Sequence, residues 1–324
     1  MESAITVEGL RKSFGSREVL HGIDFQVQAG SVFGVIGPNG AGKTTTMRCL
    51  LDIIRPSAGT LRVLGQDPRH GGPGLRRRIG YLPGELTLEA RVTGRRLLDH
   101  YEAVSGPVSP GRIDELAERL NLDLDRHTRK LSKGNKQKLG LIQAFMHEPE
   151  LLVLDEPTSG LDPLVQQEFL AMVQEARDRG QTVFLSSHVL SEVQQAADEV
   201  AILRDGRIVT VATVDALRES AVRHLRFTAS GITADDAGAL LGRVPGVGGV
   251  EVLTAGDGVE LTAVLEGSIG PLVQALSRLE LTDLVLEEPD LEESVLRLYG
   301  NNGNGRRGNG SRRREPQEEG SSHA

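Results

Sequence analysis

Gly37-Pro38-Asn39-Gly40-Ala41-Gly42-Lys43-Thr44 decides the reading of this chain. It is a glycine, four spacers and Gly-Lys-Thr, the phosphate-binding pattern called Walker A. Before it, Ser31 to Ile36 is an apolar run of strand length. After it, Thr44 to Ile54 carries Met47, Leu50, Leu51 and Ile54 at helical spacing, with Pro56 as the stop. A glycine-rich chain meets the pattern by accident now and then, but strand, loop and helix together are the context it needs. The glycines let backbone N–H groups converge on phosphate oxygens, and the helix N-terminus adds partial positive charge. Lys43 is placed to reach the β- and γ-phosphates, and the Thr44 hydroxyl to bind Mg²⁺.

Working outward, 324 residues suit two domains and a tail. Aromatics are 3% and Trp is absent, so Leu, Val, Ile and Ala must build the core. A net charge of −8 argues against a general nucleic-acid binder. The single cysteine, Cys49, cannot form an intrachain disulfide, which suits a reducing cytosol, and it reads as a small core residue. No apolar run approaches the roughly 18–20 residues of a membrane span. Met1 to Ala4 lacks a basic stretch ahead of an apolar one, so no signal peptide is expected.

Short apolar runs at Ile5 to Leu10, Val19-Leu20 and Ile23 to Val27 predict a small antiparallel sheet, with Phe14-Gly15-Ser16 as a turn. Leu61 to Leu64 and Ile79 to Leu82 read as further strands, and Arg76 to Arg78 as a solvated helix face. Helical spacing over Thr93 to Val104 and Arg112 to Leu122 predicts a helical insertion, about 86–147. Strand and helix alternation then returns: Leu151 to Leu154, Leu164 to Arg179, Thr182 to Leu185, and a hairpin of Val200 to Leu203 and Arg207 to Val211 turning at Asp205-Gly206. Alternation around a phosphate loop implies a mostly parallel α/β sheet with helices on both sides. Residues 221–300 read as strand, helix, strand, strand, helix, strand and a last helix from Leu291 to Tyr299, the ferredoxin-like α+β order. Residues 301–324 have almost nothing apolar, which predicts disorder.

Leu151 to Pro157 delivers Asp155 and Glu156 at the end of an apolar strand, the Walker B pattern. In the usual roles Asp155 holds Mg²⁺ through water and Glu156 polarises the attacking water. An acidic pair often ends a strand simply to be solvated; a Walker A loop in the same domain changes its weight. Leu131-Ser132-Lys133-Gly134-Asn135 precedes a helix with Leu139, Ile142 and Met146 on one face. Ser132 reads plainly as an N-cap, yet its hydroxyl and the following N–H groups also form an anion site.

With Ser159-Gly160-Leu161-Asp162 and Ser187-His188 added, these stretches in this order resemble the ATP-binding cassette (ABC) ATPases over residues 1 to about 215. The resemblance implies a P-loop NTPase fold with a parallel core, an antiparallel β subdomain and a helical subdomain. It implies ATP and Mg²⁺ as ligands, with Gly37, Pro38, Asn39, Gly40, Ala41, Gly42, Lys43, Thr44 and Thr45 around the phosphates. Two cassettes would pair head to tail around two ATP molecules. Ser132 and Gly134 of one would face Lys43, Thr44 and Asp155 of the other, and Asp162 would cross the interface. His188 would contact the γ-phosphate, and Phe14 would stack on adenine. Two departures stand out: Lys133 and Asn135 replace the common Gly and Gln, and Gly84 occupies the place of the Q-loop glutamine in Tyr81 to Glu85.

Residues 1–300 look most like the cytosolic ATPase subunit of an exporter of the daunorubicin/doxorubicin-resistance type. That implies a cassette at 1–220, an accessory domain at 221–300, a separate membrane permease, and a place on the cytoplasmic face of the membrane. The alternative is a soluble ABC ATPase acting on ribosomes or nucleic acid. Such proteins fuse two cassettes or split one with coiled coils or zinc insertions, and this chain has neither. A small-molecule kinase accounts for Walker A but not for Leu131 to Asn135 or His188.

Overall fold

A computed structural model describes residues 2–88, 91–219, 223–255 and 258–287. The chain opens with β1 (Ser3–Phe14), β2 (Arg17–Gln28), β3 (Val32–Ile36), α1 (Lys43–Leu50) and β4 (Ala58–Val63). Next come α2 (Gly72–Arg77), β5 (Ile79–Leu82), α3 (Gly94–Ser105), α4 (Arg112–Arg119), a 3₁₀ turn at Thr128–Lys130 and α5 (Lys133–Phe145). Then follow β6 (Leu151–Asp155), α6 (Pro163–Asp178), β7 (Thr182–Ser187), α7 (Leu190–Ala196), β8 (Glu199–Arg204), β9 (Arg207–Thr213) and α8 (Val214–Glu219).

Six of these strands form one sheet in the order β5-β6-β7-β3-β8-β9. All neighbours are parallel except the β8–β9 hairpin. Every residue of β3, β6 and β7 is buried, as apolar strands covered on both faces require. Alternate side chains divide between two cores. Val32, Leu152, Leu154, Val183 and Leu185 face α5 and α6. Phe33, Val35, Leu151, Val153 and Phe184 face α1 and the antiparallel sheet β2-β1-β4. Phe25 of β2 stacks on Phe33 and Phe184 with ring centroids 5.7 Å away from each, so three of the few aromatics join the two sheets. Cys49 is buried in this second core, and burial pushes its thiol up to about 11.

Several elements differ from the sequence reading. The helix after the phosphate loop ends at Leu50, not Ile54. Asp52 takes a left-handed φ of 52°, and the N–H groups of Ile53 and Ile54 both turn back to the Arg48 carbonyl. Pro56 therefore follows a closed end and does not cause it. β1 and β2 run longer than expected because Gly9, at φ 57°, absorbs a bulge and pairing resumes beyond it. In the arginine run, Arg78 is no solvated bystander: its guanidinium grips Glu150 through bonds of 2.6 and 2.7 Å.

Residues 223–287 form a sheet of their own. β10 (Arg223–Ser230), α9 (Ala234–Leu241), β11 (Val247–Ala255), β12 (Gly258–Leu265), α10 (Gly270–Leu276) and β13 (Glu280–Glu287) give the antiparallel order β11-β12-β10-β13. Its core comprises Leu225, Phe227, Leu261 and Leu265 with Leu241, Leu272 and Leu276 of the helices. The expected helix at 291–299 and tail at 301–324 lie outside the described residues.

α3 and α4 pack their apolar faces, through Leu98, Leu116 and Leu120, into the core shared by α5 and α6. One charged group also ties α4 to α6. Arg119 donates to Glu168 at 2.6 Å and bidentately to Glu175 at 2.8 and 2.6 Å. The Arg119 hydrogen bonds hold the Glu175 carboxyl below its ordinary range. Arg119→Leu should destabilise the protein by about 1–2 kcal/mol, the partial exposure of both carboxylates keeping the figure low. Because Glu175 titrates low in the folded state, this contribution is present at neutral pH and fades as the pH falls through the carboxylate range. Urea unfolding of parent and variant should show a gap at pH 7 that holds down to about pH 4 and narrows as the pH falls below it. Equal stability at pH 7 would remove the assigned role of Arg119.

Candidate functional site

The phosphate loop leaves the C-terminal end of β3, where the sheet opens. Gly37 is buried so tightly that a Cβ there would stand 2.1 Å from the Leu203 carbonyl oxygen. Gly42, at φ 113°, makes the sharp entry into α1 that an L side chain resists. Ala41 N–H donates to the Pro38 carbonyl, and Gly206 N–H anchors the loop by donating to the Ala41 carbonyl. Pro38, Asn39 and Gly40 lie exposed along the loop's outer side, with Thr44 and Thr45 half-buried behind it. The buried Lys43 ammonium donates to the Gly37 carbonyl at 2.6 Å.

β6, two strands away in the sheet, brings two carboxylates to the same edge. Asp155 is fully buried. Its Oδ1 accepts from the Ser186 hydroxyl at 2.6 Å, while Oδ2 has no partner. Ser186 also accepts from the Glu156 N–H at 3.1 Å. Glu156 takes a positive φ of 49°, as do five other non-glycine residues among the described residues. Its Oε1 lies 3.2 Å from Lys43 Nζ. Its Oε2 lies 2.6 Å from His188 Nδ1, which carries the proton when the carboxylate is ionised. The fold thus gathers Lys43, Asp155, Glu156 and His188 from the ends of β3, β6 and β7.

The donor set fits a divalent cation. A buried carboxylate oxygen without a partner is costly, and a cation compensates it. An all-oxygen site with one open carboxylate oxygen fits a hard cation such as Mg²⁺, which takes one or two carboxylates plus phosphate oxygens. Gly84 lies against this carboxylate: a Cβ there would be 3.1 Å from Asp155 Oδ2. Burial first, and the Asp155 charge second, push the Tyr81 hydroxyl above its ordinary value.

The remaining predicted residues make their contacts elsewhere. Phe14 ends β1, 50% exposed, with Lys12 Nζ 4.8 Å from its ring centre. Ser132 caps α5, accepting from Asn135 N–H. Gly134 packs so closely on Gly160 that a Cβ would be 2.5 Å from its carbonyl oxygen. Lys133 donates to Ser159 Oγ at 3.1 Å. Asp162 caps α6, accepting from Val165 N–H, with Lys138 Nζ 3.9 Å away.

Two residues at the site escaped the sequence reading. Ser186 lies just past the apolar run Thr182 to Leu185, where nothing in the residues marks it. Gln137 donates to the carbonyls of Glu156 and Pro157. The signal for it was a second stripe on α5, Gln137, Leu141 and Phe145, running beside the apolar face already noted.

The chain matches the family model described as ABC transporter over residues 20–159. It is similar to the daunorubicin resistance ATP-binding protein DrrA3 of Streptomyces coeruleorubidus, 35% identical over 92% of this chain and 96% of that one. The bacitracin transport ATP-binding protein BcrA of Bacillus licheniformis is 35% identical over 71% of this chain and 76% of its own. A solved structure described as the ATP-binding subunit of an ABC transporter superposes with a TM-score of 0.62 at 30% identity, covering 66% of this chain and 92% of that one.

Ser186→Ala should strip the Asp155 carboxylate of its remaining partner and leave the Glu156 N–H without its acceptor. The expected loss is about 2–3 kcal/mol, read by urea unfolding. A change within about 0.5 kcal/mol would mean that water replaces the hydroxyl at no cost.

Proposed function

The chain belongs to the ABC transporter family as an ATP-binding, ATP-hydrolysing subunit, and we propose that it powers an exporter through a separate membrane permease. The observation that carries the catalytic part is the meeting of Lys43, Asp155, Glu156 and His188 at adjoining strand ends. Lys43 here serves two masters, the loop carbonyls and Glu156. Incoming β- and γ-phosphates compete for that ammonium and release Glu156 Oε1. The freed carboxylate then orients the attacking water and takes its proton. His188, 54% exposed in side chain, keeps Oε2 aligned from the open side and reaches the γ-phosphate. Mg²⁺ supplies charge neutralisation at the phosphates; Asp155 and Thr44 would hold it.

We read the enzyme as a pair of cassettes. Ser132 is exposed at the N-terminus of α5, and the Asp162 side chain is half-exposed. Both suit contact with the nucleotide site of a second cassette. Phe14, at the hairpin tip, offers a ring face for adenine. Residues 1–220 act as the nucleotide-binding unit, and 221–300 as an accessory domain for dimer or permease contact. Among the described residues no helix is long and apolar enough to cross a membrane; in this reading the chain works at the cytoplasmic face and reaches the membrane through the integral permease. The named relatives serve daunorubicin resistance and bacitracin transport, which favours a hydrophobic antibiotic or drug as cargo.

Glu156→Gln should bind ATP yet turn over at least about 100-fold more slowly, and accumulate as a closed dimer in size-exclusion chromatography with ATP. Rapid turnover by this variant would sink the role of Glu156. Tagged Glu156→Gln protein captured from detergent-solubilised native membranes with ATP and Mg²⁺ should carry a multi-span membrane protein, identified by mass spectrometry. Lys43→Ala should lose it. Recovery of ribosomes or soluble partners alone would replace the exporter with the soluble reading.

A further inference from the structure

Glu156 is held in an uncommon backbone state, and its side chain works only from there. Its φ of 49° is left-handed, a region that L residues other than Asn and Asp enter under constraint. The constraint comes from both sides of the residue, and a turn bond from Ser159 N–H to the Glu156 carbonyl at 3.1 Å adds to it. The Glu156 N–H donates to Ser186 Oγ at 3.1 Å. The Glu156 carbonyl accepts from Gln137 Nε2 at 3.0 Å, and the Pro157 carbonyl from the same amide at 3.1 Å. Gln137 is 2% exposed, so water does not compete for these carbonyls. One NH₂ group donates to two successive carbonyls, which restrains the Glu156–Pro157 peptide that follows the Glu156 Cα. With the N–H side held by Ser186, this sets the direction in which the Glu156 side chain leaves the backbone.

We propose that Gln137 is a positioning residue for ATP hydrolysis, holding Glu156 in the left-handed conformation from which its carboxylate meets Lys43 and His188. The proposal rests on Glu156 as the base that acts on water. It also gives α5 a second task. The helix that starts at Ser132 and Gly134 carries Gln137 one turn further on, so a shift of that helix moves the Glu156 peptide. The plain alternative is a buried amide satisfied by whichever carbonyls lie near, with no consequence for the reaction.

The test uses the full-length protein with Gln137→Leu and Gln137→Glu, alone and combined with Glu156→Gln. Gln137→Leu keeps the bulk and loses both donors. Its kcat should fall about 10- to 100-fold, the scale of a misplaced reacting group. KM and the equilibrium affinity for a fluorescent ATP analogue should stay within about twofold, which also shows that the variant folds. In the Glu156→Gln background the same change should add nothing. Gln137→Glu should regain activity relative to the parent as the pH falls, because a protonated carboxyl donates one O–H and a carboxylate none. An equal loss with and without Glu156, a loss of ATP affinity in place of kcat, or a pH-independent ratio for Gln137→Glu would overturn the proposal and leave Glu156 as the base. Parent-like turnover by Glu156→Gln itself would instead overturn the reading of Glu156, and this proposal with it.

Discussion

The site depends on one pairing: β7 lies between β3 and β6, parallel to both. Neighbouring strands stand about 4.8 Å apart, so β3 and β6 end about 10 Å from each other with β7 between them. That distance is spanned by a lysine from one side and a glutamate from the other. The middle strand supplies a short hydroxyl, Ser186, which reaches both Asp155 and the Glu156 N–H. Parallel order also turns all three C-terminal ends to the same edge, where the next residues are loop and free to carry chemistry. A change of order would leave every motif intact in sequence and useless in space.

Charge within this edge is arranged for exchange of partners. Lys43 neutralises Glu156 while it bonds the loop carbonyls, and His188 holds the other carboxylate oxygen. Asp155 sits deeper, with one oxygen tied and one unpaired. The Lys43–Glu156 pair can rearrange when a polyanion arrives, whereas the Asp155 carboxylate cannot turn without breaking its bond to Ser186. Gly84 presses on that same carboxylate from the far side. Contact at this position therefore passes through backbone atoms, where a longer side chain would have offered a jointed link.

Much of this was legible in the residues. Glycine spacing announced the phosphate loop, and the apolar runs at 31–36 and 151–154 announced strands of a parallel sheet with helices on both sides. The hairpin at Asp205-Gly206 was equally plain, both residues taking the positive φ that the dipeptide favours. What the chain hid were tertiary choices. The end of α1 is set by Asp52 turning left-handed, and an aspartate has no obligation to do so. Ser186 and Gln137 are unremarkable polar residues until the strand order and the roll of α5 bring them to Asp155 and Glu156. Arg78 reads as one of three arginines, and only the adjacency of β5 and β6 gives it Glu150. Sequence reveals a group whose backbone is special, and it conceals a group whose neighbours are.

The buried thiol of Cys49 has a practical side. It is the chain's single cysteine, on the buried face of the phosphate-loop helix, and burial raises its thiol so that it stays protonated at ordinary pH. Thiolate is the reactive form, and neither maleimides nor mild oxidants find it here. The natural protein is accordingly a silent background for site-directed labelling. A cysteine placed at the hairpin tip or beside Ser132 would be the only one to react, and a spin label or dye there would report distances between two cassettes without any prior removal of native thiols.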